Sequence, residues 1–176
     1  GLPIPSTSYI GELVESSSQL VLHFPSVVLK TLVGMQGTGV ELYEEISTAL
    51  NKLKMLKQVG EKALVQDFIA ETRGQDIRAF VIGDQVVASM QRTASNGDFR
   101  ANLHQGGKAE SIDLIEEEKR IAIQATKAIG LDVAGVDLIR TNQGTMILEV
   151  NASPGLEGIE KVSGKDIAGM MVDYLL

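Results

Sequence analysis

The chain has 176 residues, a formal net charge of −7 and neither cysteine nor tryptophan. That length suits one sizeable domain or two small lobes, with a core drawn from Val, Ile, Leu, Ala and Met. The acidic balance argues against DNA as a partner, the missing cysteines exclude disulfides and thiolate metal sites, and no apolar run is long enough to cross a bilayer.

A reducing, cytoplasmic setting is the expectation that follows from the cysteine count. The chain opens on "GLPIPSTSYI" without an initiating Met and reads as part of a longer protein. Residues 1–25 are loop-rich, with Pro3, Pro5, a serine run and Pro25. "SVVLKTLV" at 26–33 has strand length and β-branched character, and "GMQGTGVELY" at 34–43 reads as a glycine-rich hairpin. A helix is predicted over 44–57, with Ile46, Ala49, Leu50 and Leu53 on one stripe. "ALVQDFI" at 63–69 is a strand, and residues 76–92 form two strands joined at Gly83-Asp84. Residues 93–111 make a long polar loop before a helix over 115–129. "VAGVDLIR" and "TMILEV" form a second hairpin, and a last helix over 165–176 turns Ile167, Met170, Met171 and Tyr174 inward. The mixture lacks a βαβ rhythm, so the fold class is α+β with antiparallel sheets.

The second hairpin poses the sharpest chemical question. Alternation puts Thr145, Ile147, Glu149 and Asn151 on one face. If residues 142–144 form a three-residue loop with Gly144 left-handed, Thr141 pairs with Thr145 and Asp137 falls opposite Glu149. Facing carboxylates repel, and a bound divalent cation would reverse the sign. Asp137, Glu149 and the Asn151 carbonyl supply oxygen, the donor suited to Mg²⁺ or Mn²⁺ shared with substrate phosphates. Two solvated acids on an exposed sheet face are the alternative. In "VVLKTLVGMQGTG" a lysine ends an apolar strand just before the glycines, where one ammonium and several amides can hold phosphate. A plain glycine hairpin is the more common explanation of such a stretch. In "NGDFRANLHQGG", Arg100 suits bidentate contact with phosphate or carboxylate, or stands solvated in a loop.

In order, "VVLK", "GMQGTGV", "LVQDFI", "GQDIR", "GDFRANLHQGG", "AGVDLIR" and "LEVNASPGLEGIEK" resemble the RimK-like group of the ATP-grasp ligases. That group includes the enzymes that add glutamate to the C-terminus of ribosomal protein S6. The likeness runs from about residue 25 to the C-terminus.

The resemblance implies two α+β lobes clasping nucleotide, a smaller one over residues 1–64 with a glycine-rich lid and a larger one over 65–176. Lys30 would hold the nucleotide phosphates, with Gly34, Gln36, Gly37 and Gly39 in the lid. Gln66, Asp67 and Phe68 would lie along the adenine edge, Asp76 near the ribose with Arg78 beside it, and Arg100 and Asn102 toward the phosphates and the acyl substrate. Asp137, Glu149 and Asn151 would hold two Mg²⁺ (or Mn²⁺) ions. The implied reaction makes an acyl phosphate from ATP and a carboxylate, then an amide with an incoming amine, and Lys30 and Arg100 neutralise the transferred group. The substrates would be an amino acid, a peptide or a small molecule, with glutamate the first candidate for addition.

The sequence departs from that pattern in places. Asp67 stands where relatives often carry Glu, and Gln105 where glutamate-adding relatives usually carry Arg, which puts an acidic substrate in doubt. The domain that precedes the lobes in such ligases is expected to be missing. A nucleotide-binding module without turnover, or an oligomerisation module, are the competing functions. A homo-oligomer is compatible with the resemblance.

Overall fold

The computed structural model describes residues 1–10, 24–32, 39–72, 74–95, 98–101 and 106–176. They divide into two compact units, Pro5–Ala70 and Gly1–Ile4 with Glu71–Leu176. The expected lobe division at 64/65 lies inside a strand, Ala63–Asp67, of the first unit. Among the described residues no helix is long and apolar enough to cross a membrane.

In the first unit, β1 (Thr7–Ile10), β2 (Val27–Thr31), β3 (Val40–Tyr43) and β4 (Ala63–Asp67) form an antiparallel sheet in the order β1-β4-β2-β3. The helix α1 (Ile46–Gln58) turns Ala49, Leu53 and Leu56 onto Ile10, Val27, Leu29, Ala63 and Val65. That spacing is the apolar stripe of a surface helix, and each Leu or Val removed from water contributes about 1.5–3 kcal/mol. Pairing places Val28 opposite Gln66 and Lys30 opposite Leu64, so these four residues share the sheet face away from α1. β1 lies in the stretch read as loop. Its four residues carry little pattern of their own, and pairing with β4 together with burial of Ile10 supplies what local propensity does not.

The second unit holds β5 (Gln75–Ile82), β6 (Gln85–Thr93), β7 (Lys108–Ser111), β8 (Val133–Thr141) and β9 (Gly144–Asn151), antiparallel in the order β7-β6-β5-β8-β9. On one face the helix α2 (Glu116–Ala128) packs Ile121, Ala122 and Ala125 against Ile77, Ala79, Val81, Val136, Leu138 and Ile147. On the other, Phe80, Ile82, Ala88 and Met90 meet Ile159 of α3 (Glu157–Ser163) and Ile167 of α4 (Ile167–Leu175). Side-chain alternation puts Asp76, Arg78, Arg92 and Asp137 on this second face, farther along the same strands.

Several expectations change here. β7 forms inside the stretch read as one polar loop, because β6 offers it an edge. α3 was not foreseen, since only Ile159 of its seven residues is fully buried. In α4 the inward pair is Ile167 and Met171, one helical turn apart. Met170 and Tyr174, expected inward, are 37% and 46% exposed.

Glu118 fastens α2 to the β8–β9 hairpin. Its carboxylate, 1% exposed, accepts from Arg140 Nε at 2.6 Å and Nη2 at 2.9 Å, from Thr145 Oγ1 at 3.2 Å and from the Ile115 N–H at 3.1 Å. The Arg140 hydrogen bonds outweigh burial and hold this carboxyl below its ordinary value. A carboxylate depressed in this way adds stability above its unfolded pKa and loses it as pH falls through the lower, folded one. Glu118→Gln should therefore cost about 1–3 kcal/mol at neutral pH. Urea unfolding across a pH series checks this, and the gap from the wild type should close on acidification.

Candidate active site

The second-unit face away from α2 carries a cross-strand row. Met90 on β6 pairs with Arg78 on β5, Arg78 with Asp137 on β8, and Asp137 with Glu149 on β9. The expected pairing of Asp137 with Glu149 is present, but the route to it differs. Thr141 pairs with Gly144 rather than Thr145, leaving a two-residue loop of Asn142 and Gln143. Thr141 Oγ1 closes that loop by donating to the Gly144 carbonyl at 2.8 Å and accepting from the Gln143 N–H at 3.0 Å. Glu71 braces it, accepting from the Asn142 N–H at 2.7 Å and its side-chain amide at 2.5 Å. A β-bulge between Asp137 and Leu138 then takes up one residue of β9, because Leu138 pairs with Ile147 and Asp137 with Glu149.

The bulge also corrects the expected face. Paired residues share a face and consecutive residues of β8 do not. Ile147, opposite Leu138, therefore belongs with Thr145 on the α2 side, while Glu149 and Asn151 lie on the Asp137 side. A bulge beside a site commonly re-aims a side chain in this way.

Asp137 is buried in charge. Arg78 Nε and Nη2 donate to its two oxygens at 2.7 Å each, and Arg92 Nη2 donates to Oδ2 at 2.9 Å. Arg92 also grips Asp76 with two bonds of 2.6 Å. Burial alone would push the Asp137 carboxyl up, but Arg92 and Arg78 together hold it below the usual carboxylate range. Asp76 has Arg92 as its main partner, and burial dominates there, raising it to about 6. The like-charge repulsion expected between Asp137 and Glu149 is thus offset here by guanidinium groups. Sequence reasoning places Arg92 near the polar stretch at 96–107 without giving it a role. Its signal was the alternation Ala88, Met90, Arg92, which puts it on the face of Asp76 and Arg78.

A divalent ion on Asp137, Glu149 and Asn151 is compatible with these residues. The donors are oxygen, Glu149 is exposed, and the Asn151 side-chain Nδ2 is buried without a hydrogen-bond partner. Which end of that amide is oxygen is an assignment, so a flipped Asn151 would present a carbonyl. Among the described residues no group of three or more His, Cys, Asp or Glu assembles. A cage made by protein alone is not needed, since Mg²⁺ typically uses one or two carboxylates with waters and substrate phosphates.

Gly135 sets the approach to Asn151. It pairs with Asn151, and a Cβ at Gly135 would lie 2.7 Å from Pro154 Cβ in the turn that follows. Gly135→Ala should displace that turn and cost about 1–3 kcal/mol through overpacking. Thermal unfolding checks it, and in a Pro154→Gly background, where the Cβ that is struck is gone, the added cost of Gly135→Ala should shrink.

The remaining expected residues fall elsewhere. In the first unit, Lys30 lies on β2, and Gly39, with φ +82°, closes the β2–β3 connection by accepting from the Thr31 N–H at 2.9 Å. A side chain at Gly39 would collide with Thr31 Oγ1. Gln66 is 7% exposed and donates to Thr7 Oγ1 at 2.9 Å. The Asp67 and Phe68 N–H groups donate to Ser6 and Ser26 carbonyls, and burial raises the Asp67 carboxyl, opposed by a bond from the Phe68 backbone. In the second unit, Asp98 holds Arg100, accepting from Nη2 at 3.0 Å and from the backbone N–H at 2.9 Å. The Arg100 bonds hold the Asp98 carboxyl below its ordinary value. Gly34, Gln36, Gly37, Asn102 and Gln105 lie outside the described residues.

The model of the RimK-like ATP-grasp domain matches residues 4–175. This chain belongs to that family. A Haemophilus influenzae protein named probable alpha-L-glutamate ligase is 55% identical over 175 residues, which are 99% of this chain and 58% of that protein. The RimK-like domain described here therefore spans under two thirds of the length of that relative. Among solved structures, the ATP-grasp ligase PsnB complexed with minimal precursor aligns with a TM-score of 0.75 and 25% identity, over 99% of this chain and 55% of that one. The D-cycloserine synthetase DcsG aligns with a TM-score of 0.76 and 18% identity, over 99% of this chain and 65% of that one, a likeness of fold. The α+β fold expected from sequence is thus the fold of known ATP-grasp ligases.

Proposed function

We propose that this chain is the ATP- and Mg²⁺-binding core of a carboxylate–amine ligase. The observation that carries the reading is the Asp137–Glu149 pair beside Asn151, set on one face by the bulge in β9. Membership of the RimK-like ATP-grasp family supports it.

The chemistry that Mg²⁺ would supply when bound is positive charge against the phosphoryl group in transfer. Asp137, Glu149 and Asn151 are the residues that would hold the ion. Lys30 and Gly39, with the lid residues Gly34, Gln36 and Gly37, take the phosphates. Gln66, Asp67 and Phe68 take the adenine edge, and Asp76 and Arg78 line the nucleotide site. Arg100, with Asn102, neutralises charge at the acyl carboxylate, and Asp98 keeps its guanidinium oriented. The substrate carboxylate attacks the γ-phosphorus and ADP leaves. The incoming amine then attacks the acyl carbon, inorganic phosphate departs, and an amide remains.

Glutamate is the first candidate for the added amino acid. The 55% identity to a protein named probable alpha-L-glutamate ligase supports it. ADP release on adding ATP, Mg²⁺, a peptide carboxylate and glutamate tests the reading. Release that depends on both substrates is expected. Nucleotide binding without such release from any amino acid would instead support a binding module.

A further inference from the structure

We infer that Arg78 and Arg92 act as built-in counterions that keep a divalent cation off Asp137 until nucleotide phosphate arrives with it. This rests on the reading of Asp137 and Glu149 as metal ligands. An ionised carboxylate has about four lone-pair positions. Arg78 Nη2 and Arg92 Nη2 fill both on Oδ2, and Arg78 Nε fills one on Oδ1, so three are taken. The geometry leaves Asp137 one position, on Oδ1, for a cation.

Charge acts in the same direction. Asp76, Arg78, Arg92 and Asp137 are two acids and two bases joined by short bonds, with Asp76, Arg92 and Asp137 side chains at most 14% exposed and Arg78 at 15%. The cluster is neutral before any metal enters. A guanidinium beside a carboxylate lowers its affinity for a cation, the proton being the measured case, by roughly tenfold to a thousandfold. Among the described strand residues of this face, Glu149 is then the carboxylate without a guanidinium partner, a poor site for Mg²⁺ by itself. Triphosphate adds the missing anionic oxygens, so metal and nucleotide bind together and neither arginine need leave. Arg78 and Arg92 are positioning residues in this account. They set which Asp137 oxygen is available and the order of loading.

Mn²⁺ titration of the whole chain, followed by the paramagnetic resonance of free Mn²⁺, tests this. It is run with and without a non-hydrolysable ATP analogue, on the wild type, Arg78→Gln and Arg78→Lys. The wild type should bind Mn²⁺ at least about tenfold more weakly without nucleotide than with it. Arg78→Gln should gain about tenfold in nucleotide-free Mn²⁺ affinity, while Arg78→Lys, which keeps the charge but not the two-pronged bond, should gain less than Arg78→Gln. Equal Mn²⁺ affinity with and without nucleotide in the wild type overturns the inference, and this measurement needs no variant to fold. An Arg78→Gln protein with native circular dichroism and no gain overturns it too. Nucleotide binding is read separately in the same titrations. Its failure strikes the ligase reading, whereas tight nucleotide-free Mn²⁺ binding strikes only the counterion role.

Discussion

Asp137→Asn is expected to destabilise the second unit by about 3–5 kcal/mol, because it leaves buried guanidinium charge without its partner. Asp137 accepts three of the bonds that hold Arg78 and Arg92, and among the described residues the ion pair left to them is Asp76 on Arg92. An amide offers one acceptor oxygen where the carboxylate offered two, so part of the Arg78 fork is lost as well. Domains are stable by about 5–15 kcal/mol, so this one change removes a large fraction of the margin. Chemical denaturation of the two proteins checks the figure. A midpoint shift near zero would mean that the arginines find water or another partner when Asp137 is gone.

Glu149→Gln should do the opposite. Glu149 is exposed and faces a carboxylate, so removing its charge leaves the fold nearly untouched or slightly more stable. Its effect should fall on metal-dependent nucleotide affinity and turnover, reduced about a hundredfold or more. Unfolding midpoints and Mg²⁺-dependent nucleotide binding, measured on the same sample, separate the two effects. The pair of variants thus divides the facing carboxylates by role. Asp137 would serve both the fold, through its bonds from Arg78 and Arg92, and the ion, whereas Glu149 would serve the ion without holding the fold.

The sequence carried the strands and helices whose pattern is strong. Ala49, Leu53 and Leu56 repeat at helical spacing, and β5, β6 and β8 are runs whose alternation survives in the core. It did not carry elements that exist because a partner is present. β1 and β7 are four residues each and depend on β4 and β6 to pair with them. Asp137 opposite Glu149 was legible as a pairing, yet through two compensating differences, a loop shorter by one residue and a bulge that restores the count. Counting along a strand cannot see a bulge, and so it assigned Thr145 and Ile147 to the wrong face. The counterions were hidden for a similar reason. Arg92 and Asp137 are 45 residues apart, and only the sheet order β6-β5-β8 brings the guanidinium across to the carboxylate.

The most direct test of the central claim is calorimetric titration of this chain with a non-hydrolysable ATP analogue, with and without Mg²⁺, beside Glu149→Gln. Binding that requires Mg²⁺ and is lost in a folded Glu149→Gln protein is the predicted result. Nucleotide binding indifferent to both the metal and Glu149 would contradict the assignment of these strand-end acids to phosphate-bound Mg²⁺.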